Sequence, residues 1–309
     1  MNCLVTGGAG FIGSHVTAAL VARGDAVRVF DNLSTGRPEN LQGFRKKIEF
    51  KQGDLREPND VERAVSGVEV IFHLAAIRSV PRSIDNPTDT NEVNIDGTLR
   101  LLLAARKARV KRVVYSSSSS VYGDQKKFPQ TETMRPAPLS PYAVSKLAGE
   151  LYSVMFSHTF GLETVSLRYF NVFGPRQHPE SQYAAVIPKF MECALSGKPL
   201  EVHSDGKQSR DFTFVENVVQ ANLLAAGRNT ASGEFVNIAN GKNYSLLDII
   251  AVLEKLVGHK LERDHRPIRA GDVRKTWAHI GKAKKLLGYK PSVGLEEGLR
   301  RTWGWFIAK

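Results

Sequence analysis

The chain has 309 residues, of which 42% are hydrophobic and 24% charged, a composition that is typical of a globular protein and excludes a disordered or fibrous one. No apolar stretch approaches the roughly eighteen residues that span a bilayer, and no leader precedes the first predicted strand, so we expect a soluble, cytoplasmic protein without a membrane partner. The net charge of +12 is spread along the chain, which favours a solvated surface over a nucleic-acid-binding one. Neither Cys3 nor Cys193 has metal-ligand spacing, so we predict two reduced thiols and no metal site.

Short apolar strands alternate with helices through the first half of the sequence. Strands are predicted at 3–6, 26–30, 49–52, 70–73, 112–116 and 164–168, and later helices at 185–195, 215–226, 246–257 and 295–307. Such alternation implies an α/β fold with a Rossmann-type, doubly wound parallel sheet. After residue 170 the pattern loosens into Gly- and Pro-punctuated pieces, which predicts a smaller C-terminal α/β substrate-binding domain. We expect one domain at 1–170, joined by about 211–238, and a second at 171–210 and 239–309.

The segment TGGAGFIG follows the first predicted strand and opens a helix, which gives Gly7, Gly10 and Gly13 a GxxGxxG spacing. Glycines here let the backbone approach a pyrophosphate, and the helix N-terminus offers it free N–H groups. Asp31 ends the second predicted strand, close to the interval expected for a carboxylate that binds the adenosine ribose. A carboxylate would repel a 2′-phosphate, so the sequence favours NAD over NADP, although Arg37 leaves NADP open.

A tyrosine and a lysine four residues apart, Tyr142 and Lys146, share one face of a predicted helix. The serines at 116–120 end a predicted strand, and a parallel sheet places its ligand site at the carboxyl ends of its strands. A phenol titrates near 10, so a phenolate base at neutral pH needs its pKa lowered by roughly three units, or about 4 kcal/mol. We expect Lys146 and a cationic nicotinamide to supply that shift.

Seven motifs in this order cover nearly the whole chain: TGGAGFIG, DNLSTG, GDL, HLAA, SSSSSVYG, YAVSK and RYFNVFGPRQ. Together they resemble the extended short-chain dehydrogenase/reductase family. Within it, RSVPRSIDNP, YAAVIPKF, SRDFTFVENVVQANLLAA and RAGDVRKTWA are most similar to UDP-glucose and UDP-N-acetylglucosamine 4-epimerases. The resemblance implies NAD-dependent epimerisation at carbon 4 of a UDP-hexose through a transient 4-keto intermediate.

The resemblance also implies the residues of the site. Tyr142 would be the base, Lys146 would bind the nicotinamide ribose, and Ser118 would be the bridging hydroxyl. The implied cofactor-binding residues are Tyr142 and Lys146 together with Gly7, Gly10, Phe11, Ile12, Gly13, Asp31, Asn32, Ser34, Thr35, Gly36, Asp54, Leu55, Leu74, Ala75, Ala76, Arg78, Asn94, Ser116, Tyr169 and Asn171. The implied substrate-binding residues are Ser118, Ser119, Ser120, Tyr142, Asn171, Ala185, Val186, His203, Arg210, Arg269, Asp272 and Thr276.

Several reactions of this family are separated by single positions. Related 4,6-dehydratases and decarboxylases carry acidic residues where this chain has Ser119 and Ser120, which argues against both lyases. A UDP-glucuronate 4-epimerase stays open, because Arg78, Arg82 and Arg176 could face a carboxylate. A catalytically silent NAD-binding regulatory protein is the alternative from another class, and the intact Ser, Tyr and Lys set argues against it.

Two further expectations come from the resemblance. Thr276 matches a position that is bulky in strictly glucose-specific relatives, and its small side chain predicts room for an N-acetyl group. Family members commonly dimerise through helices that correspond here to 89–109 and 141–159, so a homodimer is expected. His73, alone at the end of an apolar strand, is predicted to be a hydrogen-bonded structural residue.

Overall fold

A parallel β-sheet forms the centre of the computed structural model, which describes residues 1–179, 185–228, 231–267 and 273–308. Within these residues the main sheet has seven strands, in the order β11-β6-β5-β4-β1-β2-β3. The strands are β1 (Asn2–Thr6), β2 (Ala26–Asp31), β3 (Ile48–Gln52), β4 (Val70–His73), β5 (Arg112–Ser118), β6 (Glu163–Tyr169), β7 (Val172–Phe173), β8 (Leu200–His203), β9 (Ser209–Arg210), β10 (Thr213–Phe214), β11 (Glu234–Ile238), β12 (Tyr244–Ser245) and β13 (Arg263–Arg266).

Helices cover both faces of this sheet, and its central strands β1, β4 and β5 are accordingly buried along nearly their whole length. The α-helices are α1 (Phe11–Arg23), α2 (Pro58–Val65), α3 (Val80–Asp85), α4 (Pro87–Asn91), α5 (Gly97–Lys107), α6 (Pro141–Phe160), α7 (Val186–Ser196), α8 (Val215–Gly227), α9 (Leu246–Val257), α10 (Gly281–Leu287) and α11 (Leu295–Ile307). Two 3-10 helices, Pro38–Lys47 and Ser119–Tyr122, and a π-helix, Glu92–Asp96, complete the helical segments of the described chain.

The predicted Rossmann-type sheet is confirmed, and each predicted strand of the sheet is present within one or two residues of its expected bounds. The edge strand β11 and the 3-10 helix Pro38–Lys47 were not predicted. The sequence of β11, EFVNI, mixes polar and apolar residues over only five positions. Its strand conformation depends on parallel pairing with β6, about seventy residues earlier in the chain.

Two regions of apolar packing flank a cleft. The sheet packs against its covering helices, including α1, α8 and α5, through residues such as Val16, Val218 and Leu101. A separate cluster joins α7, α9 and α11 around aromatic rings such as Phe190 and Phe214. The segment 211–238 adds α8 and β11 to the sheet side, and the exact division into two domains stays a prediction.

The described residues contain no group of three or more His, Cys, Asp or Glu side chains that could hold a metal ion. None of the helices in the described ranges is long and apolar enough to cross a membrane. Both cysteines are free, and Cys3 is buried as expected, whereas Cys193 is only half-buried on α7.

Candidate active site

A cleft of about 1430 Å³ runs along the carboxyl edge of the sheet. The ends of β1, β2, β4, β5 and β6 form one wall, as expected for a parallel sheet, and the segment around α7, β8 and β9 forms the other. The cleft therefore contacts both halves of the molecule.

The glycine turn between β1 and α1 forms the floor of one end of the cleft. Gly7 has a φ of +68°, and a Cβ there would lie 2.7 Å from the Ala75 backbone nitrogen. A Cβ on Gly13 would lie 2.1 Å from the Gly7 carbonyl oxygen. Gly10 caps the 13-residue α1 without a side-chain hydrogen bond, so the first N–H groups of the helix face the cleft. Only a backbone without side chains fits this turn, and it leaves a cradle for an anionic group.

Asp31, at the end of β2, is held rigidly beside the glycine turn. Its Oδ2 accepts a hydrogen bond from the Ala9 N–H at 2.9 Å, and its Oδ1 accepts one from the Leu33 N–H at 2.8 Å. Burial raises the pKa of Asp31, and these two backbone bonds oppose the increase. Because each carboxylate oxygen has further acceptor capacity, the group can still receive a pair of hydroxyls from a ribose.

Asp54 lies farther along the same wall. Its carboxylate accepts hydrogen bonds from the Asn32 side chain at 2.8 Å and from Arg56, which lower its pKa to about 2. The loop after β2 is fastened to the glycine turn as well, because the Asn40 side chain donates to the Ala9 carbonyl at 2.9 Å. These bonds fix the adenosine end of the cleft before any ligand enters.

The predicted catalytic side chains meet where β5 ends above α6. Ser140 caps α6 by accepting from the Ala143 N–H at 3.2 Å, and Pro141 takes the first helical position. The Ser118 hydroxyl oxygen accepts hydrogen bonds from both the N–H and the hydroxyl of Ser120, at 3.2 and 2.9 Å. Its own hydrogen is therefore available to the nearby Tyr142 phenol, whose pKa this hydroxyl lowers.

Several groups of the protein shift the pKa of Tyr142. Burial raises the pKa of this phenol, and the hydrogen bond from Ser118 and the charge of Arg78 oppose the increase. Lys146 is not among the groups that shift this pKa, and the effect expected from it together with a nicotinamide stays a prediction. The Lys146 ammonium is instead directed at the Ser116 carbonyl, to which it donates at 2.8 Å.

Lys146 is itself strongly perturbed. Its side chain is 4% exposed, and burial lowers its pKa to about 7, with Glu150 opposing the decrease. A pKa near neutrality lets the amine be charged or neutral under ordinary conditions. Two of its three N–H donors remain for groups in the cleft, because it lines the wall beside Tyr142.

The other end of the cleft contains the predicted substrate residues. The Asn171 side chain donates to the Thr276 hydroxyl at 2.9 Å and to the Asp211 carbonyl at 3.2 Å. Both ring nitrogens of His203 are engaged within the protein, one with the Pro267 carbonyl at 2.9 Å and one with a glutamate, so only the ring face is open to a ligand. Ala185, Val186 and Arg210 also line this end, whereas Arg269 and Asp272 lie outside the described residues.

Asn94 is a predicted cofactor residue that lies behind the wall. It is 1% exposed, and its side chain exchanges two hydrogen bonds with the Ile77 backbone, at 2.8 and 2.9 Å, and donates to Ser145 at 3.0 Å. It therefore fastens the loop after β4 to α6. The remaining predicted cofactor residues line the cleft, namely Gly7, Gly10, Phe11, Ile12, Gly13, Asp31, Asn32, Ser34, Thr35, Gly36, Asp54, Leu55, Leu74, Ala75, Ala76, Arg78, Ser116, Tyr142, Lys146, Tyr169 and Asn171.

His73 has the predicted structural role. Thr98 donates its hydroxyl hydrogen to the Asn94 carbonyl at 2.6 Å, so it accepts from His73 Nε2 at 2.9 Å, and His73 Nδ1 accepts from the Thr6 hydroxyl at 2.8 Å. Burial lowers the pKa of His73 to about 3. The imidazole is thus a neutral link between β1, β4 and α5.

Some lining residues were not predicted as site residues. One rim of the cleft has an apolar surface formed by Val80, Ile84 and Leu139. Single hydrophobic residues that are exposed do not stand out in a sequence, so no pattern predicted this surface. Arg176 also lines the cleft, and its buried Nη1 has no hydrogen-bond partner within the described chain. From the sequence, Arg176 was expected only as a group that could face a substrate carboxylate, and its backbone has a left-handed φ of +66°.

The glycine turn, the carboxylate at the end of β2 and the tyrosine–lysine pair define a class of protein, the extended short-chain dehydrogenases/reductases. Comparison with known proteins agrees, because the model of the NAD dependent epimerase/dehydratase family matches residues 3–239. UDP-glucose 4-epimerase of Mycolicibacterium smegmatis is 39% identical over 318 residues, which cover 100% of this chain and 99% of that protein. The chain belongs to the NAD-dependent epimerase/dehydratase family.

Two solved structures are similar over their whole length. UDP-glucose 4-epimerase of Thermotoga maritima with UDP-glucose has a TM-score of 0.95 at 40% identity, and the match covers 100% of this chain and 99% of that one. UDP-N-acetylglucosamine 4-epimerase of Methanobrevibacter ruminantium, in complex with UDP-N-acetylmuramic acid, has a TM-score of 0.95 at 39% identity, covering 99% and 98%. The family's dinucleotide fits the residues present, because the side-chain-free turn at Gly7 and Gly13 and the preset Asp31 carboxylate suit a pyrophosphate and a ribose diol.

Proposed function

We propose that this chain is a UDP-hexose 4-epimerase that keeps NAD bound through its catalytic cycle. The observation that carries the proposal is the convergence of Tyr142, Ser118 and Lys146 in one cleft at the carboxyl edge of the sheet. This acid–base group stands midway along a cleft with a dinucleotide-type turn at one end and Arg210 at the other. NAD, when bound, supplies the reversible oxidation of a sugar alcohol.

Tyr142 is proposed to remove the proton of the 4-hydroxyl and later to return it. Ser118 donates its hydrogen to the phenol oxygen, which favours the ionised form and orients it. Arg78 adds a positive charge nearby. Lys146 holds the end of β5 through the Ser116 carbonyl and offers its remaining donors to the ribose beside the nicotinamide.

The sugar must expose either face of carbon 4 to the same groups, so it must turn within the site. The proposed anchor for this rotation is the nucleotide end, where Arg210, the first turn of α7 and the nearby Asn171 line the cleft. A pyrophosphate held there leaves the sugar attached only through a flexible link. Ser119 and Ser120, next to Ser118, offer hydroxyls that can serve both orientations.

Elimination and decarboxylation are less well supported. Eliminating water across carbons 5 and 6 needs a further acid and base, and the described carboxylates that line the cleft, Asp31, Asp54, Glu192 and Glu201, lie on other elements than Ser118 and Tyr142. Serine hydroxyls titrate too high to replace them. The serines therefore favour an epimerase.

UDP-glucuronate is the second candidate substrate. Two arginines favour it, because Arg78 lines the cleft beside Tyr142 and Arg176 presents a buried Nη1 without a partner. Arg82, which the sequence also offered, is exposed and is not part of the described cleft wall. A uronate carboxylate would pair with such a guanidinium.

A substrate panel tests the proposal. The purified protein is incubated separately with UDP-Glc, UDP-GlcNAc and UDP-GlcA, and the products are resolved by anion-exchange chromatography. We expect conversion of UDP-Glc to UDP-Gal without added NAD, and Tyr142→Phe should abolish conversion while leaving NAD bound. Conversion of UDP-GlcA alone would select the second candidate, and a wild type that retains NAD but converts none of the three would refute the proposal.

A homodimer is also proposed. Leu103 on α5 and Val144 and Leu151 on α6 are 48%, 48% and 63% exposed, and these adjacent helices present them on the outside of the sheet layer. An apolar stripe on paired helices suits a two-fold interface. A cytoplasmic location stays a prediction from the sequence.

A further inference from the structure

A buried ion pair that the proposed reaction does not use lies below the catalytic end of α6. The Arg168 guanidinium on β6 donates to both carboxylate oxygens of Glu150, from Nε to Oε1 at 2.8 Å and from Nη2 to Oε2 at 2.7 Å. The Ser117 hydroxyl donates to the same Oε1. The side chains of Arg168 and Glu150 are only 1% and 2% exposed.

Stability alone gives a weak reason for charges at this place. The cost of removing two ions from water roughly cancels their attraction, and apolar residues of similar size often serve as well or better. The surroundings would accept such residues, because the Arg168 guanidinium lies over the rings of Tyr122 and Phe235, 4.8 and 4.3 Å from their centroids. A role in the neighbouring site is therefore worth seeking.

The neighbour of this pair is Lys146. It lies one helical turn before Glu150 on α6, on the same buried face. Its ammonium holds the Ser116 carbonyl at 2.8 Å, while Glu150 holds the next residue of β5, Ser117, by its hydroxyl. The residue after that is Ser118, which lines the cleft with Tyr142 and lowers its pKa. Glu150 and Lys146 together thus fix the strand end that carries the proposed bridging hydroxyl.

Glu150 is also the negative group that faces Lys146. On β5, the Tyr115 ring lies 5.2 Å from the Lys146 nitrogen, and burial keeps that phenol neutral by raising its pKa. On β4, His73 is neutral because its pKa is lowered to about 3. On α6 itself, Tyr142 has a raised pKa and Glu150 raises that of Lys146.

Groups on two neighbouring strands contact the Glu150 carboxylate. Arg168 on β6 contacts its far side, and Ser117 on β5 contributes a neutral hydroxyl. Glu150, the negative end of the Glu150–Arg168 dipole, lies one helical turn from Lys146 on α6 and raises its pKa. Burial alone would discharge the lysine, so the carboxylate decides how much positive charge it keeps at neutral pH.

We propose that Glu150, held by Arg168 and Ser117, is a positioning residue that keeps Lys146 charged and aimed at the bound dinucleotide. The inference rests on the proposed function for the role of Lys146 in the reaction. The charge itself can be tested by NAD binding, which does not require turnover. Arg168 and Ser117 act by orienting the carboxylate.

Glu150→Gln tests the proposal, because it removes the charge and keeps an acceptor for Ser117. The protein is desalted between pH 6 and pH 9, and NAD retained per chain is measured after acid release. We expect about tenfold less retained NAD than in the wild type at pH 8, near-equal retention at pH 6, and an alkaline limb of kcat/KM that moves down by about one pH unit. A merely structural role would lower retention equally at every pH.

Ser117→Ala is the matched control. It removes one hydrogen bond to the same carboxylate and leaves the charge, so it should lower the melting temperature without moving the pH midpoint of NAD retention. A midpoint that moved as far as in Glu150→Gln would contradict the proposal, because loss of a neutral contact would then have the effect assigned to the charge.

Glu150→Gln leaves Arg168 without its counter-ion, so the double variant Glu150→Gln/Arg168→Gln is measured beside it. We expect a smaller shift of the same sign, since the nearer, negative end of the dipole has gone together with the farther, positive one. A folded variant of either kind with the wild-type midpoint would overturn the proposal. A wild type that converts no UDP-sugar would refute the proposed function, while a shifted midpoint of NAD retention would still support the inference.

Discussion

We predict that Thr276 decides between two substrate pairs, the acetylated and the plain UDP-hexoses. Its hydroxyl accepts a hydrogen bond from the Asn171 side chain at 2.9 Å, and both residues line the end of the cleft that contains the predicted substrate residues. Replacing it by tyrosine would fill the space next to that amide. We expect Thr276→Tyr to lower kcat/KM for UDP-GlcNAc and UDP-GalNAc at least tenfold more than for UDP-Glc and UDP-Gal.

The matched control is Thr276→Val, which removes the hydroxyl and keeps the size. It should lose the contact with Asn171 and yet accept both sugar pairs in the wild-type ratio. The kinetic measurement uses all four nucleotide sugars with each variant. Equal losses for acetylated and plain sugars in Thr276→Tyr would show that the pocket is not shaped at this position.

A buried aspartate, Asp211, lies next to Arg210 and supports the proposed nucleotide end of the cleft. The Asp211 carboxylate accepts from the N–H groups of Asn240, Gly241 and Ala278 at 3.0, 3.1 and 3.3 Å, and from that of Lys242. It therefore joins the turn after β11 to the segment that carries Thr276. Asp211 therefore affects the site by holding the backbone segments that carry its residues.

Asp211→Ala would leave these buried N–H groups without acceptors, at a cost of about 1–3 kcal/mol for each group that finds no replacement. We expect the melting temperature to fall by several degrees and KM for UDP-Glc to rise about tenfold, with a smaller change in kcat. Asp205→Ala, at an exposed aspartate that accepts only from the nearby Lys207 N–H at 3.0 Å, serves as the control. A kcat that fell as far as KM rose would place Asp211 nearer the chemistry than this.

These contacts explain which parts of the site could be read from the sequence. Tyr142 and Lys146 share a helix face by local periodicity, and the parallel sheet brings the end of β5 to the same edge, so their meeting follows from simple rules. Asn171 and Thr276, by contrast, are 105 residues apart, and no periodicity relates them. The resemblance to a family supplied what spacing could not.

The burial of individual polar side chains was the feature that the sequence predicted least well. The sequence did not show that the Lys146 ammonium is directed at the Ser116 carbonyl, a fact of side-chain geometry. The Glu150–Arg168 pair was missed for a similar reason, since either residue would ordinarily lie on the surface. Polar residues inside the core can be located only when the packing is known.

The apolar stripe of Leu103 on α5 and of Val144 and Leu151 on α6 predicts that two copies of the chain associate. In the proposed dimer two copies of each stripe residue would meet across a two-fold axis, so Leu151→Glu would remove two apolar contacts worth about 1.5–3 kcal/mol each and weaken the dimer at least a hundredfold. We expect sedimentation to show a wild-type dimer and a monomeric variant. Leu195→Glu, at a leucine of similar exposure on α7, should leave the dimer intact, and a monomeric wild type would refute the interface.

The stability of the fold towards acid should depend on His73, which links three elements of the sheet layer. Its pKa of about 3 in the folded chain lies below the value near 6.5 of an unfolded chain, so its contribution to stability is complete above pH 6.5 and is lost as the pH falls towards 3. Between pH 7.5 and pH 5 this amounts to about 2 kcal/mol of the free energy of unfolding, since each pKa unit corresponds to about 1.4 kcal/mol. His15, with a pKa lowered to about 4 by burial, adds a loss of the same sign.

Urea denaturation at pH 5, 6 and 7.5 measures this dependence. In His73→Gln the amide can keep contacts with Thr6 and Thr98 but cannot take up a proton, so the loss between pH 7.5 and pH 5 should shrink by about 2 kcal/mol. The exposed His259, replaced in the same way, should leave the dependence unchanged. The buried imidazole of the wild type is neutral and takes up a proton in acid only when the chain unfolds. If His73→Gln lost as much stability in acid as the wild type, protonation of other groups would control the unfolding.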